Sequence, residues 1–192
     1  MLFALQNDVG CTVFIGAGSQ AEYGIQSVPL TTNLPVNPES GYGIAKYTAG
    51  KLSSLLCKQL GIRFNWMRIL SVYEKNDGEN TVISYCIREL KNGRSPELTK
   101  CEQIWDYLNC DDADRAFLAV SEKCVDGKFY PLGSSNGQKL SEYIIMLRDL
   151  LNLELQIDFG KKEYYPHQPM YMVSDIRELV IDTGWRPETF FF

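Results

Sequence analysis

Apolar positions along the 192 residues fall alternately into short unbroken runs and into stripes of helical spacing. Thr12-Val13-Phe14-Ile15-Gly16 is a run without charge and predicts a buried strand, followed by a glycine-rich turn, Gly16-Ala17-Gly18-Ser19. Upstream, Leu2, Phe3 and Leu5 closed by Asn7, Asp8 and Gly10 read as the tail of a helix. Residues 24–40 carry Pro29, Pro35 and Pro38 among Asn and Thr and read as loop. Glu39-Ser40 then lead into a helix over about 41–60, striped by Ala45, Ala49, Leu52, Leu56 and Leu60 and ended by Gly61. Phe64 to Leu70 is the next strand, so 12–70 predicts a strand–helix–strand unit with a parallel pair.

Downstream the periods shorten. A polar loop over 74–80 precedes a helix at about 80–92 stopped by Asn92-Gly93, with short strands at 97–100 and 103–108. A helix from Asp111 to about 122 places Asp112 and Asp114 at the positive end of its dipole. Lys128 to Leu132 predicts a strand, and 139–151 a strongly amphipathic helix through Leu140, Tyr143, Ile144, Leu147, Leu150 and Leu151. A last helix after Asp175 is stopped by Gly184 and then Pro187. The alternation is that of an α/β protein.

Composition narrows the partners. A hydrophobic content of 45% can bury a real core, and a net charge of -5 with acids and bases interspersed leaves no basic stripe for nucleic acid. No apolar run reaches the ~18 residues of a membrane span and no signal-peptide pattern opens the chain, so the expectation is a cytoplasmic protein with no membrane partner. Six cysteines are scattered without a Cys-x-x-Cys pair, and Cys11, Cys57 and Cys86 sit in apolar patterns where a thiol behaves as a small hydrophobe. With His167 the single histidine, read as a surface or loop residue, no metal site is expected.

Candidate chemistry begins at Tyr42 and Lys46, four apart and therefore on one helix face, with the hydroxyl of Ser19 at the end of the preceding strand. A strand-end hydroxyl facing a Tyr-x-x-x-Lys helix resembles the extended short-chain dehydrogenase/reductase superfamily, the NAD(P)-dependent sugar-nucleotide epimerases, dehydratases and reductases. Further segments are similar in order and spacing: Phe14 to Gly24, Asn37-Pro38 through Lys46, Arg68 to Tyr73, Gln103 to Ala116 with Trp105-Asp106-Tyr107, and Asp175 with Gly184-Trp185-x-Pro187. The look of Lys100 to Tyr107 is that of the 4-keto-hexose reductases, with the 4-epimerases close behind.

The resemblance implies a Rossmann-like, doubly wound parallel sheet that lacks its first strands, plus a small C-terminal α+β portion that binds substrate. Residues 1–73 would be the later part of the cofactor domain and 74–192 mainly the nucleotide-sugar portion, with 103–122 returning to the sheet. It implies Tyr42 as general acid/base, Lys46 stabilising its phenolate and binding the cofactor ribose, and Ser19 orienting the reacting oxygen. Tyr42, Lys46, Ile69 and Ser71 would contact NAD or NADP; Glu22, Asn80, Thr81 and Trp105 would contact a nucleotide-diphosphate sugar. Plainer roles stand beside these: a turn residue for Glu22, capping for Asn80 and Thr81, core packing for Trp105.

Departures are as specific as the matches. About four strands, roughly 100 residues at ~30 per strand–helix–strand unit, precede the matched part in the family and carry its phosphate-binding glycines. Gly16-Ala17-Gly18 is not that fingerprint, since loop follows it rather than helix. Glu74-Lys75 replaces the family's Gly-Pro, Trp105 stands where an Arg commonly holds the nucleotide, and His167-Gln168 lie near the place of a second such Arg. The family's last helix has no counterpart before Phe192. The helix over 41–60 implies a homodimer or higher association, with Ala45, Ala49 and Gly50 permitting close approach, and a sheet edge left uncovered. Two readings follow: an NAD(P)-dependent sugar-nucleotide enzyme represented by its later part, or a catalytically inactive remnant serving as a binding or assembly module.

Overall fold

The computed structural model describes residues 10–75, 77–151 and 154–191, so the helix tail expected over 1–10 lies almost wholly outside the described residues. Strand β1 (Val13–Ser19) runs into a single 3-10 turn, Gln20–Glu22. After the proline-rich loop, α1 (Gly41–Leu60) starts where the Ser40 hydroxyl accepts from Gly43 N at 3.0 Å and stops where Gly61 takes the left-handed φ of 67°. Strand β2 (Arg63–Ile69) lies parallel to β1 from Val13↔Arg63 to Ser19↔Ile69. On its other side β2 pairs in parallel with a later strand, Phe129–Leu132.

The expected turn at Gly16-Ala17-Gly18 is strand instead, and Trp66 explains it. A side chain at Gly16 would meet the Trp66 ring at 2.1 Å and one at Gly18 the indole nitrogen at 2.2 Å. These glycines exist to let a large indole from β2 lie across β1, the close-approach use of glycine in a strand. Gly50 of α1 backs the same indole, and Phe14, Phe64 and Phe129 complete an aromatic layer between α1 and the sheet. Gly50 thus faces its own sheet and not outward, which corrects its expected place in an intermolecular contact.

Past β2 the chain alternates between two layers. Strand β3 (Ser71–Tyr73) leads to α2 (Val82–Lys91), then to β4 (Ile104–Trp105), β5 (Tyr107–Asn109) and α3 (Cys110–Lys123). Strand β6 (Phe129–Leu132), β7 (Gln138–Lys139), α4 (Leu140–Leu151), β8 (Tyr171–Met172) and α5 (Arg177–Thr183) follow. The sheet order β1-β2-β6 is covered on its second face by α3 and α5, where Met67, Tyr130, Leu132, Val120, Leu179 and Trp185 form a buried core. So β6 and α5, expected among the substrate-binding residues, build the parallel sheet's own layers. The smaller lobe pairs β3 with β5 in parallel, sets β4 between β7 and β8, and packs α2 on α4 around Cys86, Leu90, Leu98, Tyr143, Ile144 and Leu147.

The strand expected at 97–100 is irregular: Leu98 O and Thr99 O accept from Lys162 N and Gly160 N of a distant loop, so the backbone is satisfied without a ladder. No described helix is long and apolar enough to cross a membrane.

Candidate active site

The C-terminal end of β1 and the first turns of α1 bring three of the expected residues together. Ser19 is 7% exposed, and its Oγ accepts from Ala21 N at 3.2 Å as the cap of the 3-10 turn. That turn packs on the start of α1, close enough that a side chain at Gly43 would meet Ala21 O at 2.3 Å. Tyr42 and Lys46 therefore emerge on the helix beside the turn, Tyr42 59% exposed. The Lys46 ammonium donates to Ala17 O at 2.8 Å and lies 5.8 Å from the centre of the Tyr42 ring. Strand geometry permits that bond: Arg63 N donates to Thr12 O, so alternate residues 13, 15, 17 and 19 turn their backbone groups to the opposite edge of β1. Among the described residues no strand pairs with that edge.

Glu22 is corrected by its burial. It is 0% exposed; its Oε1 accepts from Ser19 N at 2.9 Å and Trp66 Nε1 at 2.8 Å, and its Oε2 from Arg68 Nε at 2.9 Å. With both oxygens engaged inside the protein it neither reaches a sugar nor lies solvated in a turn. Thr81 is a cap: its Oγ1 accepts from Ser84 N at 3.3 Å and bonds the Ser84 hydroxyl at 3.0 Å. Ile69 is half-buried against the core, and Ser71 Oγ accepts from the indole of Trp105 at 2.7 Å.

Trp105 and Asn80 meet at a separate cavity of about 430 Å³, which reads Trp105 as a cavity wall as well as a packing residue. Tyr85, Tyr107 and Tyr165 supply further aromatic wall and Lys162 a cation at 5.4 Å from the Tyr85 ring centre. Gln103 is 6% exposed there and its carboxamide oxygen has no hydrogen-bond partner among the described residues. Burial pushes the Tyr107 phenol well above its ordinary range, so it is a neutral hydrogen-bonding group. A second cavity, about 470 Å³, is lined by Gln20, Ala21 and Ser40 beside Ser19 and by His167 and Pro169. Gln168 lines the first of these cavities and its two neighbours the second, so one short segment forms the wall between them. His167 holds a left-handed φ of 62° there, a conformation in which His is enriched.

Sequence alone does not single out Tyr85, Lys162 or Tyr165, and it marks Gln103 only as the start of the Gln103 to Ala116 segment. Tyr85 lies four residues after Thr81 on a helix, which is a local signal; Lys162 and Tyr165 arrive from a loop and carry none. No group of three potential metal ligands gathers among the described residues.

A parallel sheet flanked by helices, with a hydroxyl at a strand end beside Tyr42 and Lys46 on the following helix, defines a Rossmann-like α/β protein of the short-chain dehydrogenase/reductase type. The family model "NAD dependent epimerase/dehydratase family" matches residues 1–133, and the chain belongs to that family. Among curated relatives, the CDP-abequose synthase of Salmonella typhimurium is 28% identical over 152 residues, 76% of this chain and 50% of the relative. Among solved structures, RMD from Pseudomonas aeruginosa complexed with NADPH superposes with a TM-score of 0.87 at 23% identity, covering 99% of this chain and 66% of that one. The UDP-glucose 4-epimerase of Thermotoga maritima with UDP-glucose gives 0.85 at 21% identity, covering 98% and 62%. The chain thus spans one half to two thirds of the length of the proteins it resembles.

Proposed function

We propose that this chain carries the proton-transfer end of an NAD(P)-dependent epimerase, dehydratase or reductase acting at a hexose carbon of a nucleoside diphosphate sugar. The observation that carries the reading is the ammonium of Lys46 fixed on Ala17 O next to Tyr42 and the capped hydroxyl of Ser19. Tyr42 would give or take the proton of the sugar hydroxyl or carbonyl, with the Lys46 charge available to the phenolate. Ser19 would hydrogen-bond the reacting oxygen. The aromatic cavity of Trp105 suits a nucleotide base, and the cavity at Gln20, Ala21 and His167 a hexose, on either side of the wall at 167–169.

The fit to NAD(P) is partial. Tyr42 and Lys46 are accessible at the strand end and suit the ribose–nicotinamide part, which when bound supplies the hydride acceptor or donor. Gly16 and Gly18 are filled by Trp66, so the pyrophosphate cradle is not built from them. A second reading is nucleotide-sugar binding without turnover, in which the same cavities are retained.

Calorimetric titration of the chain with NADH, NADPH and nucleotide sugars tests both. Cofactor binding with turnover that is abolished by Tyr42→Phe, binding being spared, supports the enzyme; turnover unchanged by Tyr42→Phe removes the assigned base. No cofactor binding at millimolar concentration, with sugar nucleotide still bound, selects the binding module.

A further inference from the structure

We infer that Glu22 is a positioning residue for Ser19, acting through a buried polar cluster beneath the 3-10 turn; this rests on the reading of Ser19 as a substrate-contacting hydroxyl. Three donors from two neighbouring strands converge on one carboxylate: the backbone N–H of Ser19 at the end of β1, and the indole of Trp66 and the Nε of Arg68 on β2. The pair is dry, Glu22 being 0% and the Arg68 side chain 5% exposed. The guanidinium is itself clamped, its carbon 4.7 Å from the Tyr23 ring centre and 5.0 Å from that of Phe129. Glu22 is the last residue of the turn, so its carboxylate, bonded to Trp66 and Arg68, anchors the turn against β2.

The reciprocal half of the cap sets the hydroxyl. Ala21 N donates to Ser19 Oγ while Glu22 takes the Ser19 N–H, the two bonds of a capping box compressed onto one turn. With an acceptor position of Oγ filled from the protein side, the hydroxyl proton is the group left to offer a ligand. The two residues that follow Ser19 in the same turn, Gln20 and Ala21, line the cavity, so a shift of the turn moves the hydroxyl and the cavity wall together. Stability alone does not account for this arrangement. A buried ion pair is often no better than a packed apolar pair of the same volume, and sometimes worse. An apolar residue at 22 would fill the space but leave the Ser19 N–H unsatisfied and the turn free to shift against β2.

Glu22→Gln is the sharp substitution. Its single amide oxygen can still serve Ser19 and Trp66, but its NH₂ then faces the Arg68 donor, so the side chain must move and the turn with it. The test compares binding of UDP with UDP-glucose, CDP with CDP-glucose, and GDP with GDP-mannose by calorimetry. The sugar increment reports contact at the hexose, whereas the diphosphate alone reports the rest of the site. The wild-type chain is expected to bind one sugar nucleotide more tightly than its parent diphosphate. Glu22→Gln and Ser19→Ala should each lose that increment, roughly threefold to tenfold, with diphosphate affinity unchanged. Should Glu22→Gln fail to fold, the paired Glu22→Val and Arg68→Leu variant removes the charges together and is expected to fold and show the same selective loss. A folded variant that keeps the increment overturns the inference, as does a wild-type chain in which sugar and diphosphate bind alike. A wild-type chain that binds none of the six ligands overturns the nucleotide-sugar reading, and the inference falls with it.

Discussion

Asp106 receives five hydrogen bonds: from Ser134 N and Oγ at 2.7 and 2.5 Å, Ser135 N at 3.0 Å, and Ser174 N and Oγ at 3.0 and 2.6 Å. The residue is 0% exposed, and its partners belong to the connection after β6 and the one after β8, so one carboxylate ties both to the strand pair beside Trp105. Asp106→Asn keeps the volume but turns one acceptor into a donor facing donors, leaving buried N–H groups unpaired. The expected loss is about 3 kcal/mol of unfolding free energy, read as a lower urea midpoint; an unchanged midpoint would show the serine cluster to be dispensable. Residues of this kind mark where sequence reading stops. Ser19, Tyr42 and Lys46 were legible because their spacing and order lie within one strand–helix unit. Glu22 was misread and Gln103 missed because what decides them, the Trp66 indole and Arg68 guanidinium in one case and a buried unpaired oxygen in the other, comes from elements distant in sequence.

At the scale of elements, α5 is fastened to β6 by a small charged cluster. Lys128 Nζ donates to Asp182 Oδ2 at 2.7 Å and Glu178 Oε2 at 3.0 Å, and the Tyr130 hydroxyl donates to Asp182 Oδ2 at 2.7 Å. Burial opposes ionisation of Asp182, yet the bonds from Lys128 and Tyr130 together hold its carboxyl below the usual value; the Asp182 bond chiefly raises Lys128. The depressed carboxyl contributes stability that is present above the unfolded value near ~4 and lost as pH falls through the folded one. The raised ammonium contributes below ~10.4 and is lost at higher pH. Lys128→Met should therefore lower stability at neutral pH and flatten its decline in acid, measured by urea midpoints between pH 2 and 7. An acid limb as steep as the wild type's would place the coupling elsewhere. The elements themselves were largely legible: the stripe over 41–60 and its Ser40 and Gly61 ends match α1, because caps and period agree there. Strands β3, β7 and β8 were not, since two or three residues are too few to show an alternation and their pairing is tertiary.

For the whole molecule, the uncovered side of α1 is the feature that a single copy does not explain. Ile44 is 52% exposed, Leu52 61% and Leu55 62%, with Ala45, Thr48 and Ala49 exposed between them. At positions 44, 48, 52 and 55 this is one continuous stripe, turned away from the Gly43, Gly50 and Cys57 side that lies on the sheet. Small residues among large apolar ones allow two such helices to approach closely, and an isologous pair would bury the stripe of each against the other. Tyr42, 59% exposed near the start of this helix, would then lie at the margin of the shared surface, so association and the Tyr42–Lys46 pair would be linked through α1. The expected outcome is a dimer by light scattering of the purified chain, and a monomer for the double variant Leu52→Glu with Leu55→Glu, its circular dichroism unchanged because neither side chain packs in the core. A wild-type monomer at tens of micromolar, or a variant dimer of unchanged mass, would assign the stripe to something other than a second copy. The edge of β1, which no strand pairs with among the described residues, would then be the next surface to test.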